Sequence, residues 1–518
     1  MALYSHNNAF KGIGIMKIGI DLGTTNTVAG WMNIYGNIEF LEFDDGRTFL
    51  PSCVFFDRGK VIVGSEAVKR AAEDPASFVS QSKIYMDDRK KTWEKEGRRY
   101  KAEDIAFEIL KKVRVTLSER FPDEKKFDAV VTVPAKFGED QIRRTASAVK
   151  RAGLGLIEII KEPVAAALAF NDDSFRPGDT VYVIDFGGGT VDAALVELTG
   201  TSGVTGFVVK DADGNRHLGG RDLDGVIASL LFEQLRNCSG QDLSDEESTF
   251  GAARKKTRRI IADASETLKK KLYACPSEKA VLDLDGVCAV CEKKENCSAG
   301  GCFRAEISYD EYLSAADEIY EKLGALIVSD EVMEKKPDHV IFVGGMSSDP
   351  YLKQFISSTF DGSSFVSAGE VCAGDSYLTV IARGAAIKAC DENIHIVNKL
   401  LNSLGLICTG KNGKYMDPVI SAGTDVDTDF EVRHVYTNTG RFETELRFAV
   451  YEYNGDPEDF DNLEYRKVGE FVFNDINPMD TGKQKIETVF RFDEKGVLTV
   501  CAEDLNDHNR SIEVSFEI

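Results

Sequence analysis

Nowhere does the 518-residue sequence carry an apolar run near the ~20 residues that a bilayer-spanning helix needs. The first fifteen residues, MALYSHNNAFKGIGI, lack the basic start and sustained apolar centre of an export signal. Met16 is a candidate start, because the ordered pattern begins at Lys17. Basic residues are in deficit, with 63 Lys and Arg against 86 Asp and Glu, a formal net charge of −23. That balance repels a phosphate backbone and excludes general nucleic-acid binding. It does not exclude a single nucleotide, whose phosphates a cation and a few backbone N–H groups neutralise locally. Eleven cysteines are too few for a disulfide scaffold of this length. Reduced thiols and a cytoplasmic location are the expectation. The six histidines show no ligand spacing.

What is present is a duplication. The segment KIGIDLGTTNTVAGWM, Lys17 to Met32, reads as strand, tight Gly/Thr turn and strand. A near-copy, VYVIDFGGGTVDAALVEL, runs from Val181 to Leu198. Two copies so far apart predict duplicated halves that face one another. A third apolar run ends in glycines at VIFVGGMSS, Val340 to Ser348. Helical stretches are expected at 103–117, 139–151, 223–234 and 254–273, so strands and helices alternate as in an α/β domain. Near residue 390 the character changes. From about 404 to 518 short alternating runs such as RFAVYEY, IETVFRF and VLTVCAE predict an antiparallel sandwich of seven or eight strands.

Asp21 and Asp185 end the first strand of each copy. A carboxylate beside a glycine turn can hold magnesium through waters while backbone N–H groups take phosphate oxygens. In the second turn Gly187, Gly188 and Gly189 permit close approach; in the first, Thr24, Thr25 and Asn26 follow Gly23 with hydroxyl and amide donors. One such turn is equally well an ordinary β-turn. Two copies with matched aspartates, plus the pair Gly344-Gly345, point to a phosphate site.

The segments IDLGTTN, VTVPAKF, EPVAAALAF, DFGGGTVD, HLGGRDLD, VGGMSS and ARGAA occur in the order found in DnaK-type seventy-kilodalton heat-shock chaperones, which the chain resembles from about Lys17 to Ile518. The stretch GEFVFNDINPMDTGKQKIETVFRFDEKGVLTVCAED is similar to that family's β substrate-binding module. The resemblance implies an actin-like, two-lobed α/β ATPase domain over 16–390, an apolar linker over 391–403 and an all-β substrate-binding sandwich over 404–518. The chain stops where the family's helical lid would begin, so an uncovered groove with fast peptide release is expected. Carried onto this sequence, the resemblance puts Gly23, Thr24, Thr25 and Asn26 on the β- and γ-phosphates of ATP or ADP, opposite Gly187 to Gly189. It gives Asp21 and Asp185 to hydrated Mg2+ and nearby K+, and Lys83 to the γ-phosphate. Glu162 would orient the attacking water, with Thr190 and Asp192 completing the polar wall. Gly219, Gly220, Gly344, Gly345 and Ser347 would line the nucleotide, with Glu266 and Lys269 at the ribose. No arginine finger stands out, so a slow ATPase is expected, coupled to extended client peptides, a J-domain co-chaperone and a nucleotide exchange factor.

Several positions depart from the family's pattern. Tyr273 stands where the family has serine, with stacking on the base as its candidate role, and Ser348 stands where a basic residue contacts adenine. Asn398 replaces a linker aspartate. The segment Cys288, Cys291, Cys297 and Cys302 forms C-x2-C-x5-C-x4-C and has no counterpart in the family; zinc, a redox-sensitive loop and a plain insertion all remain open. GLICTGKN nearly matches a P-loop but has Asn412 where a Ser or Thr must bind magnesium. The leading expectation is an ATP-dependent chaperone. The alternatives are a nucleotide-bound adaptor holding one dedicated partner and, more remotely, a sugar kinase or filament protein of actin type.

Overall fold

The computed structural model describes residues 15–518 apart from 72–73, 171–174, 202–203, 216–217, 240–251, 286, 288–301, 372–373, 392–393, 400–401, 411–412, 427–429, 493–497, 509 and 517–518. The chain divides into two compact units, one made chiefly of residues up to Ile394 and the other chiefly of His395–Ile518.

In the first unit the sequence duplication becomes a duplication of strand order. Strand Ile15–Leu22 pairs antiparallel with Asn26–Met32 and parallel with Lys126–Val133, which in turn runs parallel to Gly155–Lys161. Strand Thr180–Phe186 pairs antiparallel with Val191–Thr201 and parallel with His339–Val343, which runs parallel to Ser364–Ser367. The pattern of neighbours and directions is the same in both sheets. Each central strand carries its aspartate next to its last residue, so both Asp21 and Asp185 sit where a strand leaves the sheet and the Gly turn begins.

The strands form because their residues suit burial at the middle of a sheet. Met16, Ile18, Ile20 and Leu22 alternate into a core shared with Trp31, Ile105, Ile109, Phe127 and Val131. Val181 to Ile184 are buried on both faces, as interior strands with a parallel neighbour usually are. Tyr182 and Ile184 share one core with Leu223, Ile227, Leu268, Leu272, Tyr312 and Phe342. The helices expected near 103, 139, 223 and 254 are Ala102–Arg120, Glu139–Arg151, Gly220–Ser239 and Ala252–Ala274. Two further helices bear on the site. Glu162–Phe170 begins at Glu162 itself, and Pro350–Thr359 is capped by Asp349, whose carboxylate accepts from the Tyr351 N–H at 2.9 Å.

The second unit contains two four-stranded antiparallel sheets. One runs Gly413–Ile420, Ser403–Gly410, Glu445–Asn454, Glu464–Asn474; the other runs Glu431–Thr437, Lys485–Phe492, Leu498–Asp504, Ser511–Phe516. Leu404, Val450, Phe471 and Phe473 from the first sheet share one core with Ile486, Phe490, Leu498 and Val500 from the second. This is the sandwich expected from the alternating runs, and among its described residues no helix occurs. Gly405–Gly410 of the P-loop-like GLICTGKN lie in strand Ser403–Gly410, and the next described element is strand Gly413–Ile420, not a helix; Lys411 and Asn412 lie outside the described residues. Within the span expected as linker, Ile394–Lys399 is a strand, and Asn398 pairs with Val426. The β-branched residues Ile394, Ile396 and Val397 favour that extended form.

Among the described residues no helix is long and apolar enough to cross a membrane. The described cysteines Cys53, Cys275, Cys390, Cys408 and Cys501 are free thiols. Cys288, Cys291 and Cys297 lie outside the described residues, as does the side chain of Cys302, and among the described residues no group of three His, Cys, Asp or Glu side chains could hold a metal ion directly.

Candidate functional site

The two turns meet. A Cβ placed on Gly188 would stand 3.0 Å from Thr25 Oγ1 and 3.4 Å from its Cγ2, so the second Gly turn lies in van der Waals contact with the first. The second turn closes through the Gly187 N–H donating to the Thr190 carbonyl at 2.9 Å. Beneath both turns lies one cavity of about 360 Å³, within the usual range for a small-molecule site. Asp21, Gly23, Thr24, Thr25 and Asn26 line one side; Asp185, Gly187, Gly188 and Thr190 line the other, and Glu162, Gly220, Glu266, Lys269, Tyr273, Gly344 and Gly345 complete the wall.

A second layer of backbone holds the turns in place. The N–H groups of Gly220 and Arg221 donate to the carbonyls of Gly187 and Gly188 at 3.1 and 2.9 Å. The contact is so close that a Cβ on Gly219 would lie 2.6 Å from the Gly189 backbone. Gly344, at φ +85°, lets the loop after His339–Val343 pass over Asp185: a Cβ there would stand 2.4 Å from Asp185 Oδ1. The HLGG and VGG segments are therefore packing requirements of the aspartate turn.

The electrostatics at the cavity floor are unusual. Lys83 Nζ donates to Glu162 Oε1 at 2.6 Å, with both side chains 8% exposed. Asp21 accepts from Thr132 Oγ1 at 3.0 Å, yet burial, followed by repulsion from Glu162, raises its carboxyl to about 7; Lys83 and the Thr132 bond oppose that rise. Burial likewise pushes Asp185 well above the ordinary carboxylate range, with repulsion from Glu162, Asp192 and Asp21 adding to it. Among the described residues, Glu162, Asp21 and Asp185 thus repel one another around the Lys83 ammonium, and Asp192 adds to the repulsion on Asp185. Such a site favours the arrival of positive charge. It also presents an unsatisfied donor, since Thr25 Oγ1 is buried with no hydrogen-bond partner.

The other end of the cavity is built differently. Lys269 is buried and already engaged, donating to the Gly220 carbonyl at 2.7 Å and pairing with Asp224 at 2.7 Å. It ties helix Ala252–Ala274 to helix Gly220–Ser239. Glu266 pairs with Lys270 at 3.0 Å along the same helix. Tyr273 lines the cavity, but its hydroxyl turns into the core, bonded to Tyr312 at 2.8 Å. Tyr312 bonds Tyr320 at 2.9 Å, and Tyr320 donates to Asp349 Oδ2 at 2.7 Å. Ser347 is fully buried with its hydroxyl unpartnered, and Ser348 is the serine that lines the cavity. Lys83 lies under the first turn, lining a small void with Leu22, Gly23 and Thr24. Gly189, Gly219 and Asp192 support the walls without lining the main cavity. Sequence reasoning missed Arg47, Phe49, Arg221 and Asp224, which do line it. Arg221 and Asp224 fall inside HLGGRDLD and were within reach; Arg47 and Phe49 precede a strand and carried no signal.

Fold and site together define a class: a duplicated strand–turn–strand protein whose paired aspartates share one phosphate-scale cavity. The family model described as Hsp70 protein matches residues 17–517, and the chain belongs to that family. It is similar to the chaperone protein DnaK of Nitrosopumilus maritimus, at 28% identity over 94% of this chain and 73% of that one. It is also similar to the mitochondrial-type heat shock protein 70 of Encephalitozoon cuniculi (27%, covering 96% of this chain and 83% of that one) and to the DnaK of Thermosipho africanus (29%, covering 94% and 78%).

Proposed function

We propose that the chain is an ATP-dependent chaperone: an actin-like, two-lobed ATPase domain over 16–390, a coupling linker over 391–403, and a sandwich over 404–518 that binds extended apolar peptide segments. Family membership supports ATP and a chaperone role. The observation that carries the hydrolytic half is the contact of Gly188 with Thr25 above a cavity that Asp21, Asp185 and Glu162 share. Backbone N–H groups of the two turns and the Thr24, Thr25 and Asn26 side chains would hold the β- and γ-phosphates between them. Asp21 and Asp185 fit hydrated Mg2+, with K+ nearby, because among the described residues Lys83 is the cation that acts on their half-buried carboxylates. The metal neutralises phosphate charge when bound. Lys83, already bonded to Glu162, would turn to the γ-phosphate, which frees the Glu162 carboxylate to orient water; Thr190 and Asp192 would complete that wall.

Peptide would be held by main-chain hydrogen bonds and side-chain pockets of the sandwich. A J-domain co-chaperone, an exchange factor and a cytoplasmic setting belong to this reading. The deciding experiment is ATP turnover with and without an apolar heptapeptide, wild type beside Lys83→Ala. Turnover that responds to peptide and is lost in the variant supports the reading; no turnover in the wild type refutes its enzymatic half.

One observation favours a second reading, a nucleotide-bound adaptor with little hydrolysis. The base end offers Ser348 and a Tyr273 whose hydroxyl is already committed inward. A random peptide array separates the two: broad apolar selectivity supports the chaperone, whereas an empty array with one strong partner in a pulldown supports the adaptor.

A further inference from the structure

Four cationic side chains line the main cavity: Arg47, Arg221, Lys269 and Lys270. Three are held by carboxylates. Arg47 Nε donates to Asp45 at 2.6 Å and its guanidinium lies over the Phe49 ring; Lys269 pairs with Asp224, and Lys270 with Glu266. The Arg221 side chain makes no hydrogen bond or ion pair to any of the described residues. Its carboxylate neighbours are already engaged: Asp222 accepts from the Gly219 N–H at 2.8 Å, Asp224 holds Lys269, and Glu266 holds Lys270. Desolvation by the cavity walls lowers the guanidinium's pKa, against the pull of Asp224, Glu266 and Asp222. Arg221 is an exposed residue on the cavity wall, so its planar fork of N–H donors meets water and stands open to an incoming anion.

The position of Arg221 says which ligand. Its own N–H donates to the Gly188 carbonyl, so the residue is anchored to the second phosphate turn. It opens the 20-residue helix Gly220–Ser239, whose N-terminal field adds to the attraction for an anion. Its charge also acts on Cys53, whose neighbour Ser52 donates its N–H to the Thr25 carbonyl at 2.8 Å beside the first turn. Its charge partners include Glu266, which the proposed reading sets at the ribose, and Asp224, which holds Lys269, whereas Lys83 lines the separate small void and not this cavity.

We infer that the Arg221 guanidinium is a ligand of the nucleotide's inner phosphates, clamping the phosphate nearest the sugar and its neighbour from the side of helix Gly220–Ser239. The inference rests on the nucleotide site proposed above. It makes Arg221 a binding residue shared by ATP and ADP, which leaves the terminal phosphate to Lys83.

The test is calorimetric titration of the full chain with Mg-ADP, AMP and adenosine, wild type against Arg221→Ala and Arg221→Lys. Charge-assisted hydrogen bonds of this kind are worth about a ten- to hundredfold in affinity. Arg221→Ala should weaken ADP and AMP by that factor and leave adenosine unchanged, and Arg221→Lys should recover part of the loss. In steady state KM for ATP should rise while kcat moves less than about twofold. Unchanged ADP affinity overturns the inference. So does an equal loss for ADP and adenosine, which would make Arg221 a prop for the pocket. If Arg221→Ala melts early, Arg221→Gln carries the same comparison with the stem retained. A wild-type chain that binds no ADP sinks the nucleotide reading itself, and this inference with it.

Discussion

Replacing Lys83 by alanine removes the ammonium that, among the described residues, faces the carboxylates of the cavity floor. Lys83 and Glu162 are bonded at 2.6 Å with 8% of each side chain exposed, so this is a buried pair. Taking one partner from such a pair leaves an uncompensated charge and costs roughly 3–5 kcal/mol. The loss does not stop at Glu162, because the same ammonium restrains the upward shifts of both Asp21 and Asp185. Without it those carboxyls rise further, and ionising them in the folded chain costs more. The destabilisation should therefore be largest above pH 7, where the unfolded chain ionises freely, and smaller near pH 5, where Asp21 is already protonated. Glu162→Gln removes the stranded charge, so adding it to Lys83→Ala should recover about 2 kcal/mol or more relative to the sum of the single variants.

The assay is built into the chain. Its two tryptophans, Trp31 and Trp93, pack on the core of the sheet that carries Asp21, so their fluorescence during urea unfolding reports that part of the first unit. Turnover of ATP should fall in Lys83→Ala by roughly a hundredfold or more, the usual cost of removing one preorganised charge-stabilising group. Stability within 1 kcal/mol of wild type at pH 7.5, together with additive single and double variants, would refute the reasoning. Lys83 would then be a surface-like cation with no hold on the carboxylates.

Further outcomes follow from other parts of the site. Burial and Glu162 hold the Asp21 carboxyl at about 7 against an ordinary 3.8, so the protonated form is the one the fold favours; that contribution is complete below about 4 and is lost as pH rises through about 7. Nucleotide-free protein should melt lower at pH 8 than at pH 5.5, and Asp21→Asn should flatten the difference in a thermal scan. Gly219→Ala forces a methyl to within 2.6 Å of the Gly189 backbone, and displacing that turn should weaken ADP by tenfold or more in titration while the sandwich melts as before. Tyr320→Phe strips the buried Asp349 of a 2.7 Å bond and should cost roughly 1–3 kcal/mol; Tyr273→Phe, which breaks a hydroxyl–hydroxyl link at the cavity end, should cost less and leave nucleotide affinity nearly unchanged.

Much of this was legible in the chain because close approach leaves a mark on residue type. The paired Asp–apolar–Gly segments announced the duplicated strand order, since only small residues let Gly188 meet Thr25 or Gly219 meet Gly189. Period-two alternation at Leu498, Val500 and Ala502 likewise gave the sandwich its inward face. What could not be read was the state of charge partners. Lys269 kept the spacing of a ribose contact, yet its ammonium is spent on Asp224 and the Gly220 carbonyl, a pairing across 45 and 49 residues that no local pattern encodes. The strand at Ile394–Lys399 was hidden for a related reason: its partner, Val426, lies far along the chain. Tyr312, Tyr320 and Asp349 gave no sign of being joined to Tyr273, because hydroxyl networks depend on orientation and not on sequence distance.

The two functional readings differ in which end of the cavity does the work. At the end that the proposed reading gives to the phosphates stand raised aspartates, the Lys83 ammonium, a Thr25 hydroxyl without a partner and an Arg221 side chain that no described residue pairs. At the end that the proposed reading gives to sugar and base, most charged and hydroxyl groups pair with one another, through Lys269 with Asp224, Lys270 with Glu266, and the tyrosines with Asp349, while the Ser347 hydroxyl has no partner. A site so divided should draw most of its affinity from phosphates and little from the base. ADP and GDP should then bind within about tenfold of each other, whereas removing phosphates from ADP to AMP to adenosine should cost affinity at each step. An adaptor that holds nucleotide as a structural plug needs tight base recognition to keep it. A chaperone that must release and rebind nucleotide in each cycle does not. A large preference for adenine over guanine would therefore argue for the adaptor, because the required contacts would have to come from groups that are now committed elsewhere.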